Sequence, residues 1–294
     1  MKLYAPAYYK NFKCIADKCT HSCCIGWEID IDDGTYEKYK SLRGGYGETV
    51  KDSISTDGTP HFKLGANDRC PHLNECGLCE IILNIGEDHL CDICREHPRF
   101  YNFTSVAEVG VGASCVEAAR LILSSSDYAI IEKIGEMDAN TDEFDFDGRA
   151  DRGRIYEILQ DPSLRYAEKL DLIRRQYQTK HRDDEEYLEI IDELEYLDEA
   201  HKSLFCNFSS VPAPDGKDEY FERFLAYLIY RHCTEAFDLE DFRDRLEFCL
   251  FCAKLFSSIV VSENARTLDE IAQLASIISE EIEYCDENTF ALMQ

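Results

Sequence analysis

The sequence has no long uninterrupted apolar run, which argues against a membrane-spanning helix. Its best candidate, residues 248–262, is 15 residues long and is interrupted by Lys254, whereas a helix that crosses a bilayer needs about 20 apolar residues. The stretch between Lys2 and Lys10 holds only seven uncharged residues, too little for the apolar core and cleavage site of a signal peptide. We therefore expect a cytoplasmic chain.

Basic residues are also scarce. The 294-residue chain has 31 Lys+Arg against 59 Asp+Glu, a formal net charge of −28. A chain this acidic repels phosphate groups, so nucleic acid is not an expected partner. Hydrophobic residues still make up 45% of the chain, which is enough to build a buried core and argues against wholesale disorder. The length favours two domains.

Cysteine, by contrast, is abundant. Ten of the 15 cysteines lie between Cys14 and Cys115. A reducing cytoplasm disfavours structural disulfides, so these thiols point to metal or redox chemistry. Closely spaced thiolates, as in two CxxC pairs and a Cys-Cys doublet, lower the entropic cost of assembling a metal site. We predict a metal centre held by four of the following eight residues: Cys19, Cys23, Cys24, Cys70, Cys79, Cys91, Cys94 and Cys115.

The spacing of the thiols leaves two metals open. Zinc sites commonly combine two CxxC pairs, whereas the isolated Cys70 and Cys115 and the adjacent Cys23 and Cys24 depart from that pattern. An iron–sulfur cubane accepts irregular spacing, because each sulfur reaches a different corner of a bulky cluster. The pattern therefore favours a [4Fe–4S] cluster, with zinc as the alternative.

We expect a mainly α-helical protein in two parts. Residues 1–135 are predicted to form an irregular, cysteine-rich metal module that the metal holds together. Residues 136–153 are acidic and nearly free of aliphatic side chains, which is typical of a linker. Residues 154–294 are predicted to form an α-helical domain.

Helical periodicity supports that C-terminal domain. Apolar residues recur every three or four positions over 187–204, as on one face of a helix. The sequence from Thr267 to Glu270 is a capping box, which predicts a helix start there. Cys249 and Cys252 form a further CxxC, but they lie in an apolar helical stretch, and we interpret them as buried thiols that pack like small hydrophobic side chains.

Three blocks of the cysteine-rich region resemble a known family. They read C-x3-C-C-I-G-W over Cys19–Trp27, R-C-P over Arg69–Pro71 and C-D-I-C-R-E-H-P-R over Cys91–Arg99. This pattern is similar to that of the flagellin lysine-N-methylase (FliB-like) family, within a wider group of CxxCxxCC proteins described as zinc- or iron-chelating. Further likeness around Cys115 and over Tyr220–Arg231 extends the resemblance over most of the chain.

The resemblance implies a cytoplasmic enzyme that methylates lysine side chains of flagellin, uses S-adenosylmethionine and carries an iron–sulfur cluster. Familiar donor-binding motifs are missing. In the one GxGxxG-like stretch, Gly110–Cys115, a cysteine replaces the third glycine, and a turn before a metal-ligating helix is the favoured interpretation. The radical S-adenosylmethionine spacing CxxxCxxC is also absent, since Gly26 stands at its last position.

Methyl transfer to lysine still imposes chemical requirements. The amine attacks only when it is neutral, yet its reference pKa is about 10.4, so the site must desolvate it or supply a base. Candidate bases are Tyr220, Glu222 and Tyr227, with a packed aromatic helix face as the alternative for all three.

Three further residues are candidates for binding the methyl donor. Arg95 and Arg99 could hold a carboxylate such as that of a methionine moiety, although pairing with a local acid such as Asp92 is the alternative for the arginines. Trp27, the only tryptophan, could attract a sulfonium or ammonium to its indole face, with a core position as its alternative.

Two non-enzymatic functions remain as rivals. The first is a zinc- or iron-binding module for metal storage or delivery, and the second is a zinc-stabilised adaptor whose acidic helices dock a partner. Titration with S-adenosylmethionine discriminates the first rival, which would show no heat and methylate nothing. Anaerobic purification decides the second, which would be colourless with stoichiometric zinc and no iron.

Overall fold

The computed structural model of the chain describes residues 1–139, 146–180, 182–208 and 216–293, and it is mainly α-helical, as predicted. The strands are β1 (Lys2–Pro6), β2 (Ile54–Ser55), β3 (His61–Phe62), β4 (Arg99–Phe103), β5 (Ala107–Val111) and β6 (Ile131–Glu136). The helices are α1 (Asp33–Ser41), α2 (Tyr46–Asp52), α3 (Glu80–Ile85), α4 (Asp92–Glu96), α5 (Val116–Ser124), α6 (Arg149–Leu159), α7 (Tyr166–Tyr177), α8 (Asp184–Glu193), α9 (Glu199–Phe205), α10 (Asp218–His232), α11 (Leu239–Ser262), α12 (Leu268–Ile278) and α13 (Asp286–Met293).

The chain divides into two compact units. Lys13–Pro98 form the first, here called the cysteine unit, while Met1–Phe12 and Arg99–Gln294 together form the helical unit. This division differs from the boundary predicted at residue 135. The reason is that β1 pairs in parallel with β5 and antiparallel with β6, so the segment after Pro98 folds with the N-terminal strand and not with the cysteine-rich segment.

The predicted linker over residues 136–153 is also revised. Residues 140–145 lie outside the described residues. Glu136 ends β6, and α6 begins at Arg149, so the last five residues of the predicted linker are helical. The helix forms there because Arg152 is buried and pairs with Glu108 of β5.

A four-stranded sheet and long helices build the helical unit. The strand order is β4-β5-β1-β6, and every residue of β5 is buried. Helix α11 is buried on nearly all sides over Phe248–Ala253, and Cys249 and Cys252 are fully buried within it, which confirms the interpretation of these two thiols as core residues. No helix among the described residues is both long and apolar enough to cross a membrane.

The apolar periodicity over residues 187–204 is not one helix. Helix α8 ends at Glu193, and α9 begins only at Glu199. The intervening backbone is held by tertiary contacts, because the N–H groups of Leu197 and Asp198 donate to the buried Glu281 carboxylate at 2.7 and 3.2 Å. These hydrogen bonds satisfy the backbone in a turn, so the continuous helix predicted from periodicity is wrong.

The cysteine unit has a small core of its own. Tyr39 of α1, Val50 of α2 and Phe62 of β3 are almost completely buried, and two cysteines, Cys70 and Cys91, lie in the same cluster. A core this small stabilises a fold only weakly, so cross-links from a bound metal are a plausible physical supplement.

Candidate metal centre and neighbouring sites

Two thiols of the cysteine unit are joined through a short backbone ladder. The N–H of Cys70 donates to the carbonyl of Cys24 at 2.8 Å, and the N–H of Gly26 donates to the carbonyl of Asp68 at 3.1 Å. Gly26 has φ +85°, a conformation that side chains rarely adopt. The ladder places the Cys24 and Cys70 side chains in the same small region although they are far apart in the sequence.

Two short helices supply the other thiols. Cys79 stands at the start of α3, where burial raises the pKa of its thiol and the backbone N–H groups of Ile81 and Ile82 partly offset that rise. Cys91 stands at the start of α4, and its sulfur is hydrogen-bonded to that of Cys94 one turn later. The sequence reason is that a residue before a helix can accept hydrogen bonds from the first amides, which a thiolate does well.

The sulfurs of Cys24, Cys70, Cys79, Cys91 and Cys94 form one electrostatic group, here called the five-thiol cluster. Burial, together with smaller contributions from the charges of three other members, raises the pKa of Cys70 to about 12. The pKa of Cys94 is raised by its hydrogen bond with Cys91, by burial and by the other thiols. In contrast, a hydrogen bond from Cys23 lowers the pKa of Cys24 to about 7, with a smaller contribution from Arg69.

This electrostatic situation fits a thiophilic cation. Several half-buried thiols that raise one another's pKa resist ionisation when they are alone. A bound metal ion reverses that preference, because its positive charge stabilises thiolates. The donor set of the five-thiol cluster, which is all sulfur, suits zinc or an iron–sulfur cluster and not magnesium or calcium.

The remaining predicted ligands lie in different settings. Cys19 is half-buried, and its thiol donates to the carbonyl of His21 at 2.7 Å. Cys23 is exposed but is hydrogen-bonded to Cys24. Cys115 belongs to the helical unit, where it precedes α5 and is half-buried. Five of the eight predicted ligands influence one another's pKa, but among the described residues no three cysteine sulfurs all lie within 4.8 Å of one another. The ligand set predicted from the sequence therefore stays a prediction.

Several supporting residues were missed by the sequence analysis. The Asp32 carboxylate accepts the N–H of Thr35 at 2.8 Å, which caps α1, and the N–H of Asp92 at 2.9 Å, which lies beside Cys91. His72 is almost completely buried and bonds the hydroxyls of Tyr46 and Ser53 at 2.8 and 2.9 Å. An Asp before a helix is a recognisable capping signal, whereas the second partner of Asp32 and the burial of His72 have no local signal.

Trp27 lines a cavity of about 330 Å³ in the cysteine unit, and further walls are formed by Glu28, His61, Phe62 and Asp68. Trp27 is half-buried, so it is not the core residue of the alternative interpretation. The cavity is bordered by the same ladder that joins Cys24 to Cys70.

The two candidate arginines have local partners. Arg95 forms ion pairs with Asp92 and, at 3.6 Å, with Glu96. Arg99 lies in the helical unit, where its Nε donates to the Tyr9 hydroxyl at 3.1 Å. The contact with Asp92 is the alternative that the sequence left open for the arginines, and a role in donor binding stays a prediction.

The three candidate bases lie on α10 and are bound within the protein. The Glu222 carboxylate pairs with the Lys169 ammonium at 2.6 Å, and burial raises the pKa of Glu222. Tyr220 is half-buried beside Arg223. These contacts are those of a packed helix face, so the catalytic role of both residues stays a prediction.

Tyr227, the third candidate, belongs to a buried polar network. Its hydroxyl donates to the Glu283 carboxylate at 2.9 Å and accepts the N–H of Ala113 at 2.9 Å. His232 and Arg231 also contact Glu283, at 2.7 and 3.4 Å. Burial raises the pKa of Glu283, but Arg231 and His232 outweigh that effect and lower it to about 2. Glu283 ends a π-helical turn, Ser279–Glu283, which periodicity did not predict.

The glycine-rich stretch at Gly110 has a packing role. Gly110 lies in β5, and a side chain there would collide with the ring of Phe100 on the neighbouring strand. The interpretation of the stretch as a turn before a metal-ligating helix stays a prediction.

Comparison with curated proteins gives three partial matches. The chain is 28% identical over 130 residues to a flagellar biosynthetic protein FliU of Salmonella muenchen, a match that covers 42% of this chain and 77% of that protein. It is 28% identical over 141 residues to lysine-N-methylases of Salmonella choleraesuis and Salmonella typhimurium, covering 44% of this chain. No family model matches the chain. No solved structure matches it either. The matched stretch spans about a third (34%) of the length of the two lysine-N-methylases, so what the chain has is a similarity to part of these proteins.

Proposed function

We propose that this protein is an S-adenosylmethionine-dependent protein-lysine N-methyltransferase that acts on flagellin. Two kinds of similarity support the proposal. The cysteine-rich motifs resemble those of flagellin lysine-N-methylases, and the partial matches include two proteins named lysine-N-methylase and one named a flagellar biosynthetic protein.

We also propose that the cysteine unit carries a [4Fe–4S] cluster, with zinc as the alternative metal. The observation that carries this part is that five thiols from distant segments of the cysteine unit influence one another's pKa, and that a backbone ladder joins the segments of Cys24 and Cys70. The ligands would be four of the eight cysteines predicted from the sequence, and the five-thiol cluster supplies enough donors by itself. When bound, such a cluster supplies a redox-active iron site, and its binding energy adds to the folding energy of the unit.

The residues around the thiols have their own roles in this proposal. Asp32 joins the start of α1 to the start of α4, which fixes Cys91. His72 holds the loop after Cys70 against Tyr46 and Ser53. These bonds orient the thiols in the way that residues behind a metal site commonly do.

The proposed reaction also requires a base that accepts the lysine proton. Tyr220, Glu222 and Tyr227 are the candidates from the sequence. The Lys169 ammonium neutralises Glu222, and Tyr227 already donates to Glu283. Both contacts favour a structural role, which leaves Tyr220, half-buried on the same helix, as the most available of the three.

Anaerobic purification tests the metal. Iron, sulfide and zinc are quantified on the same sample, together with the absorption and EPR spectra. We expect about four iron and four sulfide per chain. A colourless protein with stoichiometric zinc and no iron would contradict the cluster and favour the alternative zinc-binding adaptor.

A methylation assay tests the enzyme separately. Flagellin is incubated with the purified protein and S-adenosylmethionine carrying an isotopically labelled methyl group, and the labelled lysines are identified by mass spectrometry. The matched control is flagellin whose lysines have been acetylated beforehand. Metal-loaded protein that neither binds S-adenosylmethionine in calorimetry nor labels flagellin would end the proposal of a methyltransferase.

A further inference from the structure

The cavity beside Trp27 has the composition of a site for an organic cation. Its lining residues include Trp27, which, unlike the almost completely buried Phe62, is not part of the core, and the carboxylate-bearing residues Glu28 and Asp68. An aromatic face attracts an ammonium or sulfonium through the ring quadrupole, and carboxylates add direct charge attraction. This combination of aromatic and acidic groups gives the cavity a chemical preference for a positively charged ligand.

The one lysine in the wall does not cancel that preference. Lys63 lines the cavity, but its ammonium donates to the carbonyl of Asp52 at 3.0 Å. That bond fixes the position of the ammonium, and its single positive charge is outnumbered by the two carboxylates of Glu28 and Asp68. Asp30 adds a further carboxylate beside the cavity. Donor atoms of Glu28, Asp30 and His61 all lie within 4.8 Å of one another.

The backbone around the cavity is shaped by specific hydrogen bonds. The Phe62 N–H donates to the carbonyl of Ile29 at 3.1 Å, which ties β3 to the segment that carries Trp27 and Glu28. The Gly26 N–H bonds the Asp68 carbonyl at 3.1 Å on the other side. The cavity is thus bounded by three tied segments and not by one mobile loop.

The same ladder connects the cavity to the five-thiol cluster. Gly26 and Asp68 follow and precede the two thiols Cys24 and Cys70 by two residues each, and both pairs are joined by backbone hydrogen bonds. A ligand in the cavity therefore lies close to the cluster in the fold.

The size of the cavity favours a side chain over a nucleoside. Pockets that enclose small molecules commonly measure about 300–1,000 Å³, and this one, at about 330 Å³, is near the lower limit. A lysine side chain fits such a volume with water to spare, whereas S-adenosylmethionine carries a nucleoside and an amino acid in addition to its sulfonium.

We infer that the Trp27 cavity is the binding site for the ε-ammonium side chain of the substrate lysine, with Trp27, Glu28 and Asp68 as its recognition residues. This inference rests on the proposed lysine N-methyltransferase function, and it adds the location of the substrate side chain.

The single tryptophan of the chain makes the test direct, because all tryptophan emission comes from Trp27. The anaerobically purified full chain is titrated with Nα-acetyl-lysine methylamide, and the emission is followed on selective excitation. We expect a saturable change. The matched probe, the same compound acetylated at Nε, has no charge and should leave the emission unaltered. An equal response to both probes, or no response to either, would overturn the inference.

Charge-removing variants locate the ligand. Glu28→Gln and Asp68→Asn should each weaken binding of the lysine amide by about two- to fivefold, as expected for a charge contact partly open to water. Glu87→Gln, which removes an exposed carboxylate of the same unit outside the cavity walls, is the control and should leave the affinity unchanged. Unchanged affinity in Glu28→Gln and Asp68→Asn would overturn the assignment.

The last part of the experiment compares S-adenosylmethionine, which carries a sulfonium charge, with S-adenosylhomocysteine, which does not. If S-adenosylmethionine changed the Trp27 emission, and neither S-adenosylhomocysteine nor the lysine amide did, the cavity would be assigned to the methyl donor and the inference would be overturned. The enzyme assay separates the two proposals. Methylation of flagellin with an unaltered KM in Glu28→Gln and Asp68→Asn would refute the cavity assignment only. Charge-selective binding without any methylation would refute the proposed function and with it the role of the bound lysine as a substrate, and the cavity would remain a lysine-binding site.

Discussion

The backbone N–H of Cys70 donates to the carbonyl of Cys24 at 2.8 Å, which joins two thiols from distant parts of the sequence. This bond belongs to the backbone, so it does not depend on a bound ion. The protein therefore pre-orients part of the five-thiol cluster, and the metal has fewer conformations to restrict when it binds.

Replacement of Cys70 by serine should abolish or strongly reduce metal binding. Cys70 is buried within the small core of the cysteine unit and shares its electrostatic environment with the other thiols. Cys76→Ser is the matched control, because Cys76 is exposed in the same unit. We expect loss of bound metal and a lower melting temperature for Cys70→Ser alone. Equal metal content in the two variants would remove Cys70 from the ligand set.

Replacement of Asp32 by alanine should destabilise the cysteine unit by about 1–2 kcal/mol, because the substitution removes a helix cap and leaves the Asp92 N–H without its acceptor. The neighbouring exposed residue supplies the control, Asp33→Ala. Hydrogen exchange of the Asp92 amide, compared between the two variants, measures the effect locally. Equal protection of that amide in both would show that the Asp32 contact contributes little.

The sequence predicts those features of the fold that depend on residues close together in the chain, and it does not predict those that depend on distant residues. The capping box at Thr267 is confirmed, since its hydroxyl accepts the Glu270 N–H and the Glu270 side chain returns to the Thr267 N–H. The burial of Cys249 and Cys252 also follows from a local apolar pattern. The break after Glu193 and the pairing of β1 with β5 depend on residues far away in the chain, and no local pattern reports them.

The candidate site shows the same division. The CxxC spacing of Cys91 and Cys94 predicts that these two thiols are neighbours, which they are. The clustering of Cys24 and Cys70 with them could be proposed from cysteine density, but the ladder that produces it is a tertiary contact. The carboxylates that share a cavity with Trp27 were not predicted, because Asp68 lies beside Gly26 through a tertiary contact, the bond from the Gly26 N–H to the Asp68 carbonyl.

The buried pair of Glu108 and Arg152 should contribute strongly to the stability of the helical unit. Both side chains are almost completely buried, and two hydrogen bonds of 2.6 and 2.7 Å join them. Arg152→Met leaves a buried carboxylate without its partner, which should cost about 3–5 kcal/mol. The double variant Glu108→Leu with Arg152→Met should recover most of that loss. Denaturant unfolding of the single and double variants measures the coupling, and additive losses would contradict it.

Acid should destabilise the helical unit through Glu283. Its folded pKa is about 2, below the reference value of about 4.3 for an unfolded chain. The ionised group therefore stabilises the fold above the unfolded pKa, and this contribution is lost as the pH falls through the folded pKa. Glu283→Gln should lower stability at neutral pH by about 3 kcal/mol or more, because Arg231 loses its partner.

The pH series needs a control variant that has the same net charge as Glu283→Gln. Glu287→Gln removes an exposed carboxylate close in sequence. We expect the Glu287 variant to follow the wild type between pH 5 and pH 2, and the Glu283 variant to show a shallower loss over that interval. Parallel curves for Glu283→Gln and the wild type would show that Glu283 is not the group that titrates.

A variant of Glu222 tests whether this residue belongs to a packed helix face or is the catalytic base. Its carboxylate pairs with Lys169 at 2.6 Å, and the same ammonium donates to the Leu159 carbonyl at 2.6 Å, so Glu222 holds α10 against α7 and the end of α6. Glu222→Gln keeps the shape but removes the charge, and it should lower the free energy of unfolding by about 1–3 kcal/mol. Glu219→Gln, at an exposed position on the same helix, is the control. With the rate of flagellin methylation expressed per folded molecule, we expect kcat to be unchanged in Glu222→Gln, because a carboxylate already neutralised by an ammonium is a poor proton acceptor. A large loss of kcat with unaltered stability would instead identify Glu222 as the base.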